Sequence, residues 1–549
     1  MPNNNIFEVQ VKRNYYRDSL NLLKISDALK HNEGILEAAV VMATRMNKGV
    51  LVKLGFPSSK IKQARNSDLL VAIQAQNNKS MDFALIKLEE LLNSEWTPQE
   101  KNLSGMVFDV DSALSSMPDA NLALISIPGE YVKDLSMKLT DVGIHQQIFS
   151  DHVPLNDELK IKEHAVKSGV LILGPGGGTS IINGRGIGFS NAVRTGPVGI
   201  VAAAGTGLQE VSTLLDHCDI GVKHALGVGG NDPKKEIGGL MMLESLKVLE
   251  ALSDIEIIAI VSKPPYHDVQ KAMVDYIIRN GKKRYVLAFI DGNTESVQIS
   301  NRTKKKLVQV NTLASAVFAV ARLTGRRELK AALERVHIRY EMLHKTVRRE
   351  WKKLHKQQKY VRALYTGGTF AYEAQVILND ILEEVYSNTP TARSTQLPTS
   401  SHSQKNSILD LGEEEFTQGR AHPMIDPTVR KLRLIEESRD PKVGVILMDF
   451  VLGYGSHSDP VGAIINEIRK AKKTAEMNGR HLSFIIHVCG TRDDVQGYHQ
   501  SIHRLESAGS LVFPTNALAV IAAAHIIARG KLNLKEIYSN YFSEGFTVG

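Results

Sequence analysis

The chain has 549 residues, of which 43% are hydrophobic, 23% charged and 6% aromatic, the balance of an ordinary globular protein long enough for three or four cores. It holds no run of about 18 uncharged apolar residues, the length a membrane span needs, and its start, MPNNNIFEVQVKRNYY, lacks the cationic head and apolar stretch of a secretory leader. The net charge is +8, yet residues 326–360 alone carry twelve Lys or Arg against four Glu, so no basic face extends over the molecule and nucleic acid is not favoured as a partner. Two cysteines, Cys218 and Cys489, argue for a reducing cytoplasm and against a disulfide framework or a Cys-based metal site; no metal site is expected.

Residues 1–95 alternate IFEVQVKR, ILEAAVVMAT and DLLVAIQAQ as strands with YYRDSLNLLKISDALKHN and SMDFALIKLEELL as helices, which predicts a small α/β unit. Residues 93–118 are polar and read as a linker. In residues 119–192, ANLALISIPGEYVKDLSMKLTDVGIHQQIFSDHV has the lengths of a βαβ crossover, and KSGVLILGPGGGTS adds a strand ending in glycines. Residues 193–325 supply three buried-type strands, in GPVGIVAAAGTGLQE, IEIIAIVSKPP and RYVLAFIDG. Residues 326–357 form a basic connector helix on the periodicity of Leu329, Leu333, Val336, Tyr340, Leu343 and Val347, either solvated or docked on an acidic partner. The alternation resumes over residues 358–549 with KYVRALYTGGTFAYEAQVIL, KVGVILMDFVLGYG, LSFIIHVCGT and AGSLVFPTNALAVIAAAHII. Apolar strands alternating with helices predict parallel sheets covered on both faces. Residues 387–406, SNTPTARSTQLPTSSHSQKN, read as a mobile surface loop.

One turn occurs twice. Gly205-Thr206-Gly207 and Gly367-Gly368-Thr369 each follow an apolar strand and open a helix, about 160 residues apart, and Glu210 and Glu373 stand four residues after each Thr. A helix start offers unpaired N–H groups and a partial positive charge, so each turn is a candidate site for phosphate or carboxylate. Each Glu can orient a base, hold a cation or accept from a cap; the plain alternative is an ordinary cap whose Glu suits the helix dipole. An internal repeat at domain scale accounts for the doubling.

Three further stretches carry chemistry. In GRAHPMIDP, Arg420 can grip a carboxylate or phosphate, His422 can move a proton and Asp426 can orient it; alternatively the loop is packed and these groups satisfy backbone. In GVGGND, Gly229, Gly230 and Asn231 can present N–H groups to an anion. Lys263 stands at a strand end, where its ammonium can meet one.

The order of GPGGGTS, GPVGIVAAAGTGLQE and HALGVGGND between residue 119 and about 265 resembles the succinyl-CoA synthetase alpha subunit. From residue 365 onward, ILDLGEEEFTQGRAHPMIDP followed by VGVILMDFVLGYG resembles the carboxyl-terminal domain of the beta subunit. Across nearly the whole chain, YRDSLNLLKIS, PDANLALISIPGEY, FSDHVPL, SKPP, YTGGT and GRAHPMIDP resemble the FdrA family. The resemblance implies a multi-domain α/β fold: a small N-terminal α/β unit, a Rossmann-like CoA-binding-type domain and two flavodoxin-like synthetase-type domains. In the synthetases the two corresponding helices point at a shared phosphohistidine. Here KRYVLAFIDGNTESVQISNRTKKK, the matching segment, has no His, which argues against that mechanism. Gly34, Gly49 and Gly55 are scattered over residues 1–60, so CoA is disfavoured, and without a nucleotide domain of the ATP-grasp type nucleotide falls to a partner. The FdrA resemblance implies a carbamoyltransferase component, converting oxalurate and phosphate to oxamate and carbamoyl phosphate in purine (allantoin) breakdown with companion subunits, with homo-oligomers also compatible. The alternatives are an acyl-CoA synthetase of succinate-CoA ligase type and a non-catalytic anion-binding scaffold. In GPGGGTS, Gly176 and Gly177 replace the Asp and Cys usual in FdrA proteins.

Overall fold

The computed structural model describes residues 5–93, 109–291, 306–325 and 332–542. They form two compact units, one of residues 1–116 with 411–433 and one of residues 117–410 with 434–549.

In the first unit, β1 (Ile6–Lys12), α1 (Ser19–Lys30), β2 (Ile35–Met42), α2 (Arg45–Lys53), β3 (Leu69–Ala75) and α3 (Asn78–Asn93) build an antiparallel sheet of order β1-β3-β2. The central strand is apolar on both faces because both are covered. Leu69, Val71 and Ile73 meet Leu22 and Leu29 of α1 and Leu88 of α3, while Leu70 and Ala72 meet Leu51, Phe56 and Ile61. Asp18 starts α1 by accepting from the amides of Leu20 and Asn21 at 3.1 and 3.0 Å, an N-cap. The segment 411–433 belongs with this unit rather than with residues 358–549. Asn47 at the start of α2 holds it, donating to the Gly419 carbonyl at 3.0 Å and accepting from Arg420 at 3.1 Å.

The second unit opens with β4 (Leu122–Ile125), α4 (Val132–Asp141), β5 (His145–Ile148), α5 (Leu155–Ser168) and β6 (Ile172–Leu173), a three-stranded parallel sheet of order β4-β5-β6. The hairpin β7 (Thr179–Ile182) and β8 (Arg185–Gly188) leaves this Rossmann-like section and joins the next sheet. That sheet holds β9 (Val198–Ala202), α6 (Gly205–His217), β10 (Val222–Gly227), α7 (Leu240–Ala251), β11 (Ile257–Ser262), β12 (Arg284–Phe289), β13 (Leu307–Val310) and α8 (Leu313–Thr324). After α9 (Tyr340–Lys353) the pattern repeats in β14 (Tyr360–Tyr365), α10 (Gly368–Ile381), β15 (Val385–Ser387), β16 (Thr395–Gln396), β17 (Asn406–Asp410), β18 (Val443–Val451), β19 (Ser483–Cys489), β20 (Leu511–Phe513) and α11 (Asn516–Ile527). The parallel cores run β13-β12-β11-β9-β10 and β20-β19-β18-β14-β17, the same flavodoxin-like order twice.

Three expectations change. The basic segment is not one continuous helix: residues 326–331 lie outside the described residues, 334–336 are turn, and α9 starts at Tyr340. Nor is α9 a solvated connector, since it buries Leu343 and Val347, packs against α11, and sets His344 Nδ1 3.0 Å from His525 Nε2. The 387–406 loop is tied to α10: Gln375 donates to the Thr389 carbonyl at 3.1 Å and accepts from Thr391 N and Ser394 Oγ, and Arg393 pairs with Asp380 and Asp291. Of the expected linker, residues 94–108 lie outside the described residues, while Val110–Ser116 is helical.

Candidate functional site at the paired helix starts

Strands β9 and β14 run in the middle of their sheets and end in the two Gly-Thr turns, which meet. The amide of Thr369 donates to Thr206 Oγ1 at 3.3 Å, and a Cβ on Gly207 would come within 3.0 Å of Thr369 Cγ2. Gly367 is equally confined, because a Cβ there would fall 2.8 Å from Thr206 Cγ2. The glycines therefore let two helix starts touch.

The two starts differ in what neutralises them. At α10, the buried Asp449 of β18 accepts from Thr366 N at 2.9 Å, Gly367 N at 2.9 Å and Thr366 Oγ1 at 2.9 Å. Asp410, at the end of β17, lies so close to Gly368 that a Cβ would come within 2.6 Å of Oδ2. The protein thus supplies its own anions to this end. At α6, no side chain caps the helix, and among the described residues the amides of Gly205, Thr206 and Gly207 have no protein acceptor. Gly205 is exposed. Lys263, just beyond β11, is half-buried with its ammonium 5.3 Å from the centroid of the Tyr372 ring on α10. It forms no ion pair among the described residues. The start of α6 is thus left without a protein cap, with Gly205 exposed and Thr206 and Gly207 buried, and Lys263 follows β11, the strand paired with β9.

Glu210 and Glu373 lie one turn deeper, each only 1% exposed, and they cross between the lobes. Glu210 of α6 accepts from Asn516 N of α11 at 3.2 Å, while Glu373 of α10 accepts from Leu313 N of α8 at 2.9 Å. Each lobe caps a helix of the other, beside the N-caps Thr515 and Thr312. Asn516 Nδ2 donates to Glu373 at 2.9 Å, Tyr365 Oη donates to Asn516 Oδ1 at 2.9 Å, and His487 Nε2 is 2.7 Å from Glu210. Burial, reinforced by the Glu210 charge, pushes Glu373 up to about 7 against its hydrogen bonds to Leu313 and Asn516. At His487 burial disfavours the charged ring, but the adjoining Glu210 carboxylate prevails and raises its pKa. Of the roles open to the two Glu residues, the geometry shows cap acceptance for both and contact with a base for Glu210.

The other expected residues stand elsewhere. In GVGGND, Gly229 has φ +89° and Gly230 is exposed, but Asn231 donates to Glu158 at 2.9 Å. Asp232 accepts from Met241 N and Met242 N of α7 and pairs with fully buried Lys162 at 2.9 Å, so carboxylates surround this turn. The GPGGGTS loop spends its amides internally: Gly176 N donates to Ser150 O, Gly177 N to Ile148 O and Gly178 N to Gly176 O. A side chain at position 177 would strike Leu173 O at 2.6 Å. Arg420, His422 and Asp426 belong to the first unit. Arg420 pairs with Asp426, and His422 Nδ1 accepts from Met424 N of its own turn at 3.3 Å. Burial acts to raise Asp426, but Arg420 and Thr428 hold it below the ordinary carboxylate range.

Asp449, His487 and Asn516 were missed in the sequence. A signal for Asn516 existed: Thr312-Leu-Ala-Ser and Thr515-Asn-Ala-Leu each precede an apolar helix, extending the repeat beyond its first turn.

The family described as CoA-ligase matches residues 364–526, and the family described as the AllF heavy metal-associated domain matches residues 5–105. Residues 5–105 hold no Cys and a single His, His31, which is exposed. Among the described residues no group of three or more His, Cys, Asp or Glu is placed to hold a metal ion. The side chains of this domain do not fit a thiophilic metal. Gly49 lies within α2 and Gly34 and Gly55 flank β2 and α2, so these three glycines stand in the first unit and not in the Rossmann-like section. The succinate–CoA ligase (ADP-forming) alpha subunit of Methanothermobacter thermautotrophicus is 29% identical over 182 residues, 32% of this chain and 59% of that one. An apo dinucleotide-forming acetyl-coenzyme A synthetase from Ca. Korarchaeum cryptofilum shares 13% identity over 75% of this chain and 83% of its own, at a TM-score of 0.28, too loose to bear on function. YahF of Escherichia coli K12, described as uncharacterized, is 37% identical over 529 residues, covering 95% of this chain and 99% of the relative. An AllF-type amino-terminal domain followed by synthetase alpha-like and CoA-ligase domains, matched end to end, makes the chain a member of the YahF family.

Proposed function

We propose that this chain is the phosphate-handling core of an acyl-CoA synthetase-type ligase, acting on an acyl phosphate or on phosphate held at the start of α6. One observation carries the reading: two helix starts from repeated lobes touch at Thr206 and Thr369, one neutralised by Asp449, the other left without a protein cap. An uncapped helix start whose first residue, Gly205, is exposed, with Lys263 following the adjoining strand β11, suits the oxygens of a phosphoryl group. The matches to CoA-ligase and to ligase alpha subunits support the same chemistry. Nucleotide and CoA fall to companion subunits. Calorimetric titration of the full chain with phosphate tests it: binding is expected in the wild type and a loss of at least about tenfold in Lys263→Met, the worth of one charge-assisted hydrogen bond. Equal affinities overturn the site. Tight binding of CoA by the chain alone overturns the division of labour.

A second reading, carbamoyl transfer between oxalurate and phosphate as the FdrA resemblance implies, has one observation in its favour. Residues 284–306, where a synthetase carries its phosphorylated histidine, contain none, and carbamoyl transfer needs none. Formation of carbamoyl phosphate from oxalurate and phosphate after reconstitution with companion subunits would select it over the ligase.

A further inference from the structure

The middle of α9 rests on α11 through a cluster of rings. His344 Nδ1 lies 3.0 Å from His525 Nε2, and the Trp351 indole meets both imidazoles edge to face, 4.9 Å from His344 and 5.2 Å from His525 between centroids. A Cβ on Gly530 would come within 2.7 Å of Trp351 Cζ2, so the indole has no room to retreat. His525 is fully buried, whereas His344 is exposed.

A hydrogen bond between two imidazoles needs a proton on one nitrogen and a lone pair on the other. The surroundings of His525 decide which. Its Nδ1 is buried and meets no polar partner among the described residues. Were its Nε2 the acceptor, the ring would carry its proton on Nδ1 as an orphaned buried N–H, the rarer defect in folded chains. His525 therefore donates through Nε2–H to His344 Nδ1, and His344 keeps its own proton on Nε2. A second proton on His344 can only go to Nδ1, the acceptor itself. Two N–H groups then face each other, and relieving the clash puts the orphan back on His525. Nor can His525 take that proton, since burial and the neighbouring His344 push its pKa down to about 4.

His344 is the one titratable group whose charge bears on His525. On α9 itself, Glu341 and every Lys and Arg are exposed, and Glu350 accepts from His481 and Ser483. The other elements packed on α11 commit their groups elsewhere. On α10, Tyr372 faces Lys263, Glu373 holds Leu313 and Asn516, and Asp380 pairs with Arg393. On β14, Arg362 pairs with Glu437 and Asp440, Tyr360 packs by Lys359, and Tyr365 bonds Asn516. Asp449 of β18 holds Thr366 and Gly367, His487 of β19 meets Glu210, Cys489 meets Thr213, and Arg322 of α8 is exposed.

We propose that His344 and His525 form an acid-released latch: with both rings neutral the middle of α9 is seated on α11, and a proton on His344 unseats it. The stabilisation is present above 6.5, the ordinary value for His525, and is lost as pH falls towards about 4. The latch stands independently of the phosphate site.

Hydrogen exchange of the α9 amides in the full chain, corrected for the intrinsic rate at each pH, tests it between about pH 8 and about pH 5, with nitrogen NMR of the imidazoles. In the wild type, exchange around His344 and Trp351 is expected to be about tenfold or more faster at the acid end. His344→Asn keeps an acceptor in the place of Nδ1 that takes no proton, and should hold the wild type's neutral protection at both ends. At the neutral end the spectrum should place the His525 proton on Nε2. Wild-type protection that does not change with pH, a His344→Asn protein that loses protection at either end, or a His525 proton on Nδ1 would each overturn the latch.

Discussion

Glu373→Gln isolates the charge of one buried carboxylate between the lobes. Glu373 is 1% exposed, and its pKa rises from an ordinary 4.5 to about 7, chiefly by burial. The folded chain therefore keeps this proton to a higher pH than the unfolded chain does. Stability contributed by the group is present in acid and falls as pH rises through the window from about 5 to about 7. A displacement of that size corresponds to about 3 kcal/mol. The His487 imidazole, raised beside Glu210, changes stability in the same direction, being lost as pH passes its folded pKa, but it does so in both proteins and cancels in the comparison. Gln cannot ionise, so between about pH 5 and pH 8 the variant should gain about 3 kcal/mol relative to wild type. Urea midpoints read by Trp351 fluorescence in a Trp96→Phe background provide the assay, since Trp351 lies on α9 with its ring 5.2 Å from that of His525 on α11. Stability curves that stay parallel across that pH range would refute the buried-charge argument.

Thr206→Val removes the acceptor of the Thr369 amide and should lower the unfolding free energy of the second unit by about 1 kcal/mol, measured by urea denaturation. Asp449→Asn keeps shape but gives one acceptor oxygen where three donors converge; a loss of about 2–4 kcal/mol is expected, and an unchanged melting temperature would contradict it. Gly177→Ala places a methyl against Leu173 O and should cost about 1–3 kcal/mol, whereas Gly205→Ala, with its nearest contact at 3.7 Å, should be neutral or slightly stabilising in thermal melts. Asn47→Ala removes the tie to Gly419 and Arg420, and limited proteolysis should then cut within residues 411–433 while the wild type resists.

The sequence showed the elements well where the physics is local. A buried strand ending in Gly-Thr before an apolar helix is readable because turn chemistry and periodicity agree, and both parallel cores follow from it. What a residue meets across the sheet is not local. Glu210 and Glu373 looked like ordinary first-turn acids, and nothing nearby in the chain says that each caps a helix from the other lobe. Asp449 is one apolar-strand interruption among several, yet it decides which helix start remains open. GRAHPMIDP reads alike whether solvated or held down, because the hold comes from Asn47, more than 370 residues earlier. Composition misled for the basic segment: counting Lys and Arg located the charge but not the apolar stripe of Leu343 and Val347 that seats it.

The crossed carboxylates also impose an order on biosynthesis. Leu313 leaves the ribosome 60 residues ahead of Glu373, so the first lobe must wait, its last helix uncapped, until its neighbour has begun to emerge. Asn516 appears 306 residues after Glu210, so a carboxylate made long before is already in place when the final helix is born. A chain cut at the junction would leave two fragments, each exporting a capping group it does not use and lacking one it needs.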